Sequence, residues 1–327
     1  MVNVDTGGAD RLALAVLAQY RMATTEQMHL VIAPGVRIEQ TRRRLAKLRQ
    51  EGLVDRITLP RAGRTRVWFA TQYGVEVASE WPELREWRPP RLVSDRTAAR
   101  LRVGHTLTVT ETGLAFVQDA RRRGDICRPL DWIPEVYHPL SNGEAVIPDA
   151  LLYYRRGDTG SEGGSMLRAF VEVDRATMGP ERLAAKLTAY ARLHDYVPMP
   201  VGRPRRLVTG TPPVESWKRR YARFPRLLFV LDGTGPAGIE ARIRALRATT
   251  TEVAGLHGLL HAAPVLAAPL VDILRDGPSA PVWRPIQDPE QRVSWMGAYR
   301  LPAAPAQPTA PEPDRPWPAT PWGTPGS

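Results

Sequence analysis

Two short runs carry carboxylates in a pattern suited to holding a divalent ion. Pro148-Asp149-Ala150 opens an apolar stretch, and 23 residues after the aspartate comes Phe170-Val171-Glu172-Val173-Asp174. An Asp and a Glu on neighbouring central strands can bind one Mg²⁺ or Mn²⁺ and activate water for phosphodiester cleavage. Asp174 stands two residues beyond Glu172, so on a strand it points the same way. Asp149, Glu172 and Asp174 are therefore the expected metal ligands, with Glu111 and Glu135 as further carboxylates in reach. The competing reading pairs these acids with Arg168 or Arg175 as strand-end ion pairs. His105, in Val103-Gly104-His105-Thr106, falls on the Val109/Phe116 side of its helix and reads as a core histidine. His138 and His194 show no ligand spacing. No Walker loop, GxSxG or His-rich triad is present, which argues against an ATPase, a serine hydrolase or a relaxase proper.

A second constellation is cationic. Between Arg37 and Arg66 there are ten basic and three acidic residues, a net of +7 out of the chain's +11. On a helical wheel Ile38, Thr41, Leu45 and Leu48 share one face, while Gln40, Arg43, Arg44 and Lys47 point the other way. Arg and Gln pair bidentately with guanine and adenine edges in the major groove, and Arg and Lys neutralise phosphates. Arg61, Arg64 and Arg66 sit on a following hairpin, where a wing meets backbone or minor groove. The expected DNA-binding set is Gln40, Arg43, Arg44, Lys47, Arg61, Arg64 and Arg66. The alternative is a solvated Arg-rich face, or a winged helix used for protein contacts. Only Lys47, Lys186 and Lys218 among the 45 basic residues are lysine, so a lysine that is present is weighted toward lysine chemistry.

These residues need elements to position them. Helical periodicity at about residues 10–19, a Thr24 or Thr25 cap before a second helix, the Pro34-Gly35 break and a third helix at about 37–50 come first. Strands at about 53–59 and 66–71 follow around a turn at Pro60–Gly63, then a short helix at about 73–79. That is the winged helix-turn-helix order. A helix at about 95–123 is apolar on two sides and so should be buried on two sides. Strands are expected at about 132–138, 146–154 and 167–173, a helix at 180–196, a buried strand at 227–231, a helix at 238–248 and a poorer strand at 265–271. The order α-β-β-β-α-β-α-β suggests an α/β sandwich, with a three-strand meander followed by a crossover helix. The expected division is a winged helix over residues 8–80, a linker over 81–94, an α/β domain over 95–300 and a disordered tail over 301–327. In that tail nine of the 26 residues after Leu301 are proline.

The 327 residues, 43% of them hydrophobic, suffice for two cores, and a pI near 10.3 favours a polyanionic partner. A single cysteine, Cys127, excludes a disulfide framework and a Cys-rich zinc site. Residues 253–271 are uncharged over 19 positions but rich in Ala, Gly, Pro and His, too weakly apolar for a membrane span. Met1-Val2-Asn3-Val4-Asp5 lacks a signal pattern, so a cytoplasmic location is expected.

The carboxylate runs resemble the PD-(D/E)xK nuclease superfamily, whose core is an αβββαβ sandwich of restriction-endonuclease type. In that resemblance Pro148-Asp149 is the first motif, and Glu172-Val173-Asp174 stands where Glu-x-Lys belongs, with Asp174 in place of the lysine. Lys186, one turn before Tyr190 on the next helix, is then the migrated lysine, which implies Asp149, Glu172 and Lys186 as catalytic residues. Over about residues 10–283 the chain resembles the actinobacterial replication-relaxation family. The likeness rests on Arg43-Arg44-Leu45-Ala46-Lys47-Leu48 with Gly52-Leu53, His105, Trp132-Ile133-Pro134-Glu135, Pro148-Asp149-Ala150, Glu172-Val173-Asp174-Arg175-Ala176-Thr177 and Lys186-Leu187-x-x-Tyr190. Members are plasmid, integrative-element and phage proteins named for replication initiation and relaxation. The resemblance implies a protein that binds double-stranded DNA, works with replication or mobilisation proteins and needs no membrane. A metal-dependent endonuclease or nickase, and a winged-helix transcriptional regulator, are the alternatives; the oligomeric state is left open.

Overall fold

The N-terminal chain is built from apolar helices with sharp stops. Helix α1, Ala9–Tyr20, is buried at every position from Ala13 to Tyr20, as befits a helix enclosed on all sides. A two-residue strand, β1 (Ala23–Thr24), leads into α2 (Thr25–Ile32). The Gln27 amide donates to the Thr24 hydroxyl at 3.1 Å and the Thr24 amide donates back to the Gln27 side chain at 2.9 Å, a reciprocal cap that fixes the start of α2. After Pro34-Gly35, α3 (Ile38–Gln50) buries Thr41, Leu45 and Leu48. Strands β2 (Val54–Thr58) and β3 (Arg66–Ala70) form an antiparallel hairpin, and β1 adds to β3 to give the order β1-β3-β2. Helix α4 (Gln72–Ser79) closes a winged helix-turn-helix.

The computed structural model describes residues 8–59, 65–84, 96–157, 165–198, 214–253 and 255–297. The hairpin tip with Arg61 and Arg64, most of the 81–94 linker and the 301–327 tail lie outside the described residues.

Helix α5, Arg96–Arg123, runs for 28 residues, about 42 Å. One side meets the winged helix: the Thr110 hydroxyl donates to the Met22 carbonyl at 2.8 Å, and the Gln27 side chain donates to Glu111 at 2.6 Å. The other side packs on a sheet, where Phe116 lies among Trp132, Trp283 and Trp295. At Gly113 an added Cβ would stand 2.8 Å from the Trp132 ring, so the missing side chain is the seat of that indole.

Beyond α5 come β4 (Trp132–Pro134), the short pair β5 (His138–Pro139) and β6 (Ala145–Val146), β7 (Ala150–Arg155) and β8 (Met166–Asp174). Then follow α6 (Glu181–Asp195), β9 (Arg226–Leu231), α7 (Pro236–Glu252), α8 (Leu256–Ala262), β10 (Val265–Pro269), α9 (Leu270–Asp276) and β11 (Arg284–Pro285). The main sheet has the order β11-β10-β9-β8-β7-β4. Strands β4, β7 and β8 form an antiparallel meander, and β8, β9 and β10 run parallel. Along β9, Leu227, Phe229 and Leu231 enter the core under α6, α7 and α8, while Leu228 and Val230 enter the core on the α5 side. A strand buried on both faces needs an unbroken apolar run, which is what Leu227–Leu231 supplies.

Several expected elements are redrawn. The strand expected at 132–138 stops at Pro134, because Glu135 adopts a left-handed backbone with φ 53°. The strand expected at 146–154 is split at Ile147-Pro148, and proline cannot join the ladder. The uncharged stretch at 253–271 holds helix α8, strand β10 and the first residues of α9. Among the described residues no helix is long and apolar enough to cross a membrane. All described residues lie in one compact unit ending at Gly297. A single apolar cluster runs from Leu14, Leu17 and Leu48 through Leu114 and Phe116 to Val171, Leu228 and Trp283, so the winged helix and the sheet share a core.

Candidate functional site

Asp149 follows the Ile147-Pro148 break and enters β7, where the register sets Ala150 opposite Val171. That places Asp149 beside Glu172 on β8. Phe170 belongs to the core under α6, while Val171 and Val173 face α5, so strand alternation turns Glu172 toward α6. Lys186 and Tyr190 lie one helical turn apart on α6 and so project together. The Lys186 ammonium pairs with Glu172 Oε2 and lies 3.6 Å from Asp149 Oδ2. The Tyr190 hydroxyl donates to Glu172 Oε1 at 2.6 Å, and the Val173 amide donates to Asp149 Oδ2 at 2.7 Å. On the far side, His105 Nε2 lies 3.1 Å from Asp149 Oδ1. Asp149, Glu172 and Lys186, expected together from the sequence, do converge.

The two acids are held in opposite protonation tendencies. Burial pushes the Glu172 carboxyl up to about 7; the Asp149 charge adds to this, and Lys186 and Tyr190 offset only part. Burial also opposes ionisation of Asp149, but His105, Lys186 and the Val173 amide outweigh it and hold that carboxyl below its ordinary value. For Lys186, desolvation is overcome by the two carboxylates, and its pKa rises. Neighbouring carboxyl groups driven apart in this way are a common feature of acid–base sites.

Three expectations are corrected by geometry. Asp174 does not join the cluster: it pairs with Arg242 of α7, a side chain only 8% exposed, and accepts the Ala176 amide at 3.1 Å. Glu111 is taken by Gln27, and Glu135 by Arg21. His105, read as a core residue, is 46% exposed and sits at the acid site instead. Its helical position continues an apolar side, but there the side chain lies exposed against Asp149. A cleft between α1, α5 and β4 is lined by Arg21, His105, Glu135 and Asp149. Both members of the Arg21–Glu135 pair have left-handed backbones, φ 70° and 53°, which costs on the order of 1 to 3 kcal/mol each.

Among the described residues no group of three His, Cys, Asp or Glu is placed to hold a metal ion. The ammonium of Lys186 fills the place between Asp149 and Glu172 that a cation would take. As arranged, the donor set does not fit a divalent ion. Neither Arg168 nor Arg175 pairs with these acids; Arg168 lies over the Tyr153 ring at 5.3 Å. Arg175 packs its guanidinium on Gly104 of α5, where an added Cβ would collide with Nη1. A glycine inside a helix costs about 1 kcal/mol relative to alanine.

The second surface is α3. Gln40 and Arg43 are exposed, and Arg43 carries no hydrogen bond or ion pair among the described residues. Lys47 is exposed, with longer contacts of 3.6 Å to Asp10 and 3.9 Å to Glu51. Arg44 differs: it is 25% exposed and pairs closely with Asp10 of α1, so it ties α3 to α1 as well as carrying charge. Arg66 is exposed on β3.

Residues 14–200 match the model of a family described as replication-relaxation. No curated protein shows significant sequence similarity to the chain. Among solved structures, the chain is similar to the apo form of a double mutant of Lactococcus lactis ZitR, at 16% identity over 32% of this chain and 70% of that chain, with a TM-score of 0.22. Against a single-substitution mutant of the same protein the identity is 17% over 33% of this chain and 66% of that chain, with a TM-score of 0.23. Likeness at that level bears on none of the conclusions below.

The Glu172 carboxyl sets a pH dependence. Its folded pKa of about 7 lies above the ordinary 4.5, so the folded state holds this proton more tightly. The resulting stabilisation is complete below pH 4.5 and is lost as the pH rises to 7, by at most about 3 kcal/mol. Glu172→Gln, which keeps the protonated shape, should gain stability relative to the native chain between pH 5 and pH 7.5 in urea titrations. A constant difference across that range would contradict the assignment.

Proposed function

The chain belongs to the replication-relaxation family, and on that premise we propose that it binds double-stranded DNA through α3, with the β2–β3 hairpin as a wing, in replication initiation, relaxation or mobilisation of a plasmid, integrative element or phage. One observation carries this reading: α3 buries only Thr41, Leu45 and Leu48, and turns Gln40, Arg43 and Lys47 outward on the second helix of a helix-turn-helix. That helix is the one that enters the major groove in this architecture. The excess of +7 between Arg37 and Arg66 supplies the sequence-independent part of the affinity. Replication or mobilisation proteins are the partners the family suggests.

Arg43→Ala with Lys47→Ala should lower duplex affinity at least tenfold in a gel-shift titration and leave the melting temperature in place. Arg44→Ala should instead reduce stability by about 1 kcal/mol or less, since it breaks the pair with Asp10. Unchanged affinity in the Arg43/Lys47 variant would overturn the assignment of α3.

A second reading, a metal-dependent endonuclease or nickase, is favoured by the convergence of Asp149, Glu172 and Lys186. A divalent ion needs the seat that Lys186 fills, so the arrangement supports duplex binding ahead of cleavage. Supercoiled plasmid incubated with the protein and Mg²⁺ or Mn²⁺ should stay supercoiled. Nicking that Asp149→Ala abolishes would establish the nuclease in its place.

A further inference from the structure

We propose that Arg175 is a phosphate-binding residue, receiving a backbone phosphate of duplex DNA on the α5 side of the sheet, beside Gly104. The inference rests on the duplex-binding reading and adds a contact point away from α3.

Three separate features converge on this one guanidinium. Gly104 lies inside the 28-residue α5, where glycine is a poor helix former, and the space its missing Cβ leaves is filled by Arg175. Ala176, the next residue, adopts a left-handed backbone with φ 54°, a conformation that a residue with a Cβ takes at a cost. Arg175 Nε is buried without a hydrogen-bond partner. A side chain kept for packing alone would not need all three.

Three acids at this end of the sheet have other partners: Asp149 has His105 and Lys186, Glu172 has Lys186 and Tyr190, and Asp174 has Arg242. Arg175 itself makes no hydrogen bond or ion pair among the described residues. Its Nη donors therefore lack an acceptor among the described residues, and their paired N–H groups match phosphate oxygens. Asp149, which reaches the α5 side through His105, is compensated by Lys186, so it does not meet an incoming anion as a bare charge. His105, adjacent to Gly104 and exposed, marks the open side. In a chain of net charge +11 that presents a basic helix on the same unit, the anion these features fit is the DNA backbone.

The test measures affinity of the full chain for labelled duplex DNA at a series of KCl concentrations. Arg175→Ala should weaken binding roughly fivefold on any duplex sequence and reduce the slope of log K against log salt by about 0.9, the value of one phosphate. Gly104→Ala keeps the charge but fills its seat, and should weaken binding similarly with helix content by circular dichroism unchanged. Arg175→Lys should restore the slope but not the full affinity, because an ammonium lacks the fork. Native affinity and slope in both Arg175→Ala and Gly104→Ala would overturn the assignment. In that event the Arg43/Lys47 variant separates the two claims: if it still loses binding, only Arg175 falls, and if it binds like the native chain, the α3 reading falls as well.

Discussion

From Val103 to Ala120 helix α5 is covered on every side except at His105, and the rest of the molecule is arranged around that constraint. Val103, Val109, Leu114, Phe116 and Val117 are buried on it in different directions. Covering one set takes the sheet; covering the other takes the winged helix. Polar contacts fix the fit, as when Gln19 Nε2 donates to the Trp132 carbonyl at 2.7 Å and the Tyr20 hydroxyl donates to the Pro129 carbonyl at 2.8 Å. The outcome is one continuous core in place of two modules on a linker. Helix α3 and the acid site, held on one frame, present their charges at a set spacing, which suits the stiff duplex proposed as the ligand.

The acid site follows from that frame and from one lysine. Two carboxylates on adjacent buried strands repel, and each loses hydration. Lys186 answers both, and the remaining lone pairs are taken by Tyr190, the Val173 amide and His105. Removing one member of such a buried network leaves an uncompensated charge, so it is costly to break even where it adds little net stability. The same reasoning explains Asp174: its nearest answer was not a shared ion but the buried guanidinium of Arg242, brought by α7.

Much of this was legible in the residues. The buried and exposed faces of α3, the two-sided burial of α5, the double-sided strand Leu227–Leu231 and the neighbouring of Asp149 and Glu172 follow from periodicity and order, while the addition of Lys186 is implied by the resemblance to the PD-(D/E)xK nucleases. What was hidden depends on the third dimension. His105 lies on an apolar side of α5, and only its exposed place against Asp149 in the folded chain shows that this side is open there. Arg242 stands 68 residues from Asp174, beyond any local pattern. The left-handed turn at Glu135 has no glycine to announce it, because its ion pair with Arg21 holds it in place. Helix α8 lies in an Ala/Gly/Pro-rich stretch and α9 begins at its end, and each is only seven residues, too short for a periodic signal.

The central claim is that α5 welds the winged helix and the six-stranded sheet into one cooperative unit. Differential scanning calorimetry of the intact chain tests it most directly. The account predicts a single unfolding transition whose calorimetric and van't Hoff enthalpies agree. Two resolved transitions, one for residues 9–84 and one for the sheet with its helices, would contradict it.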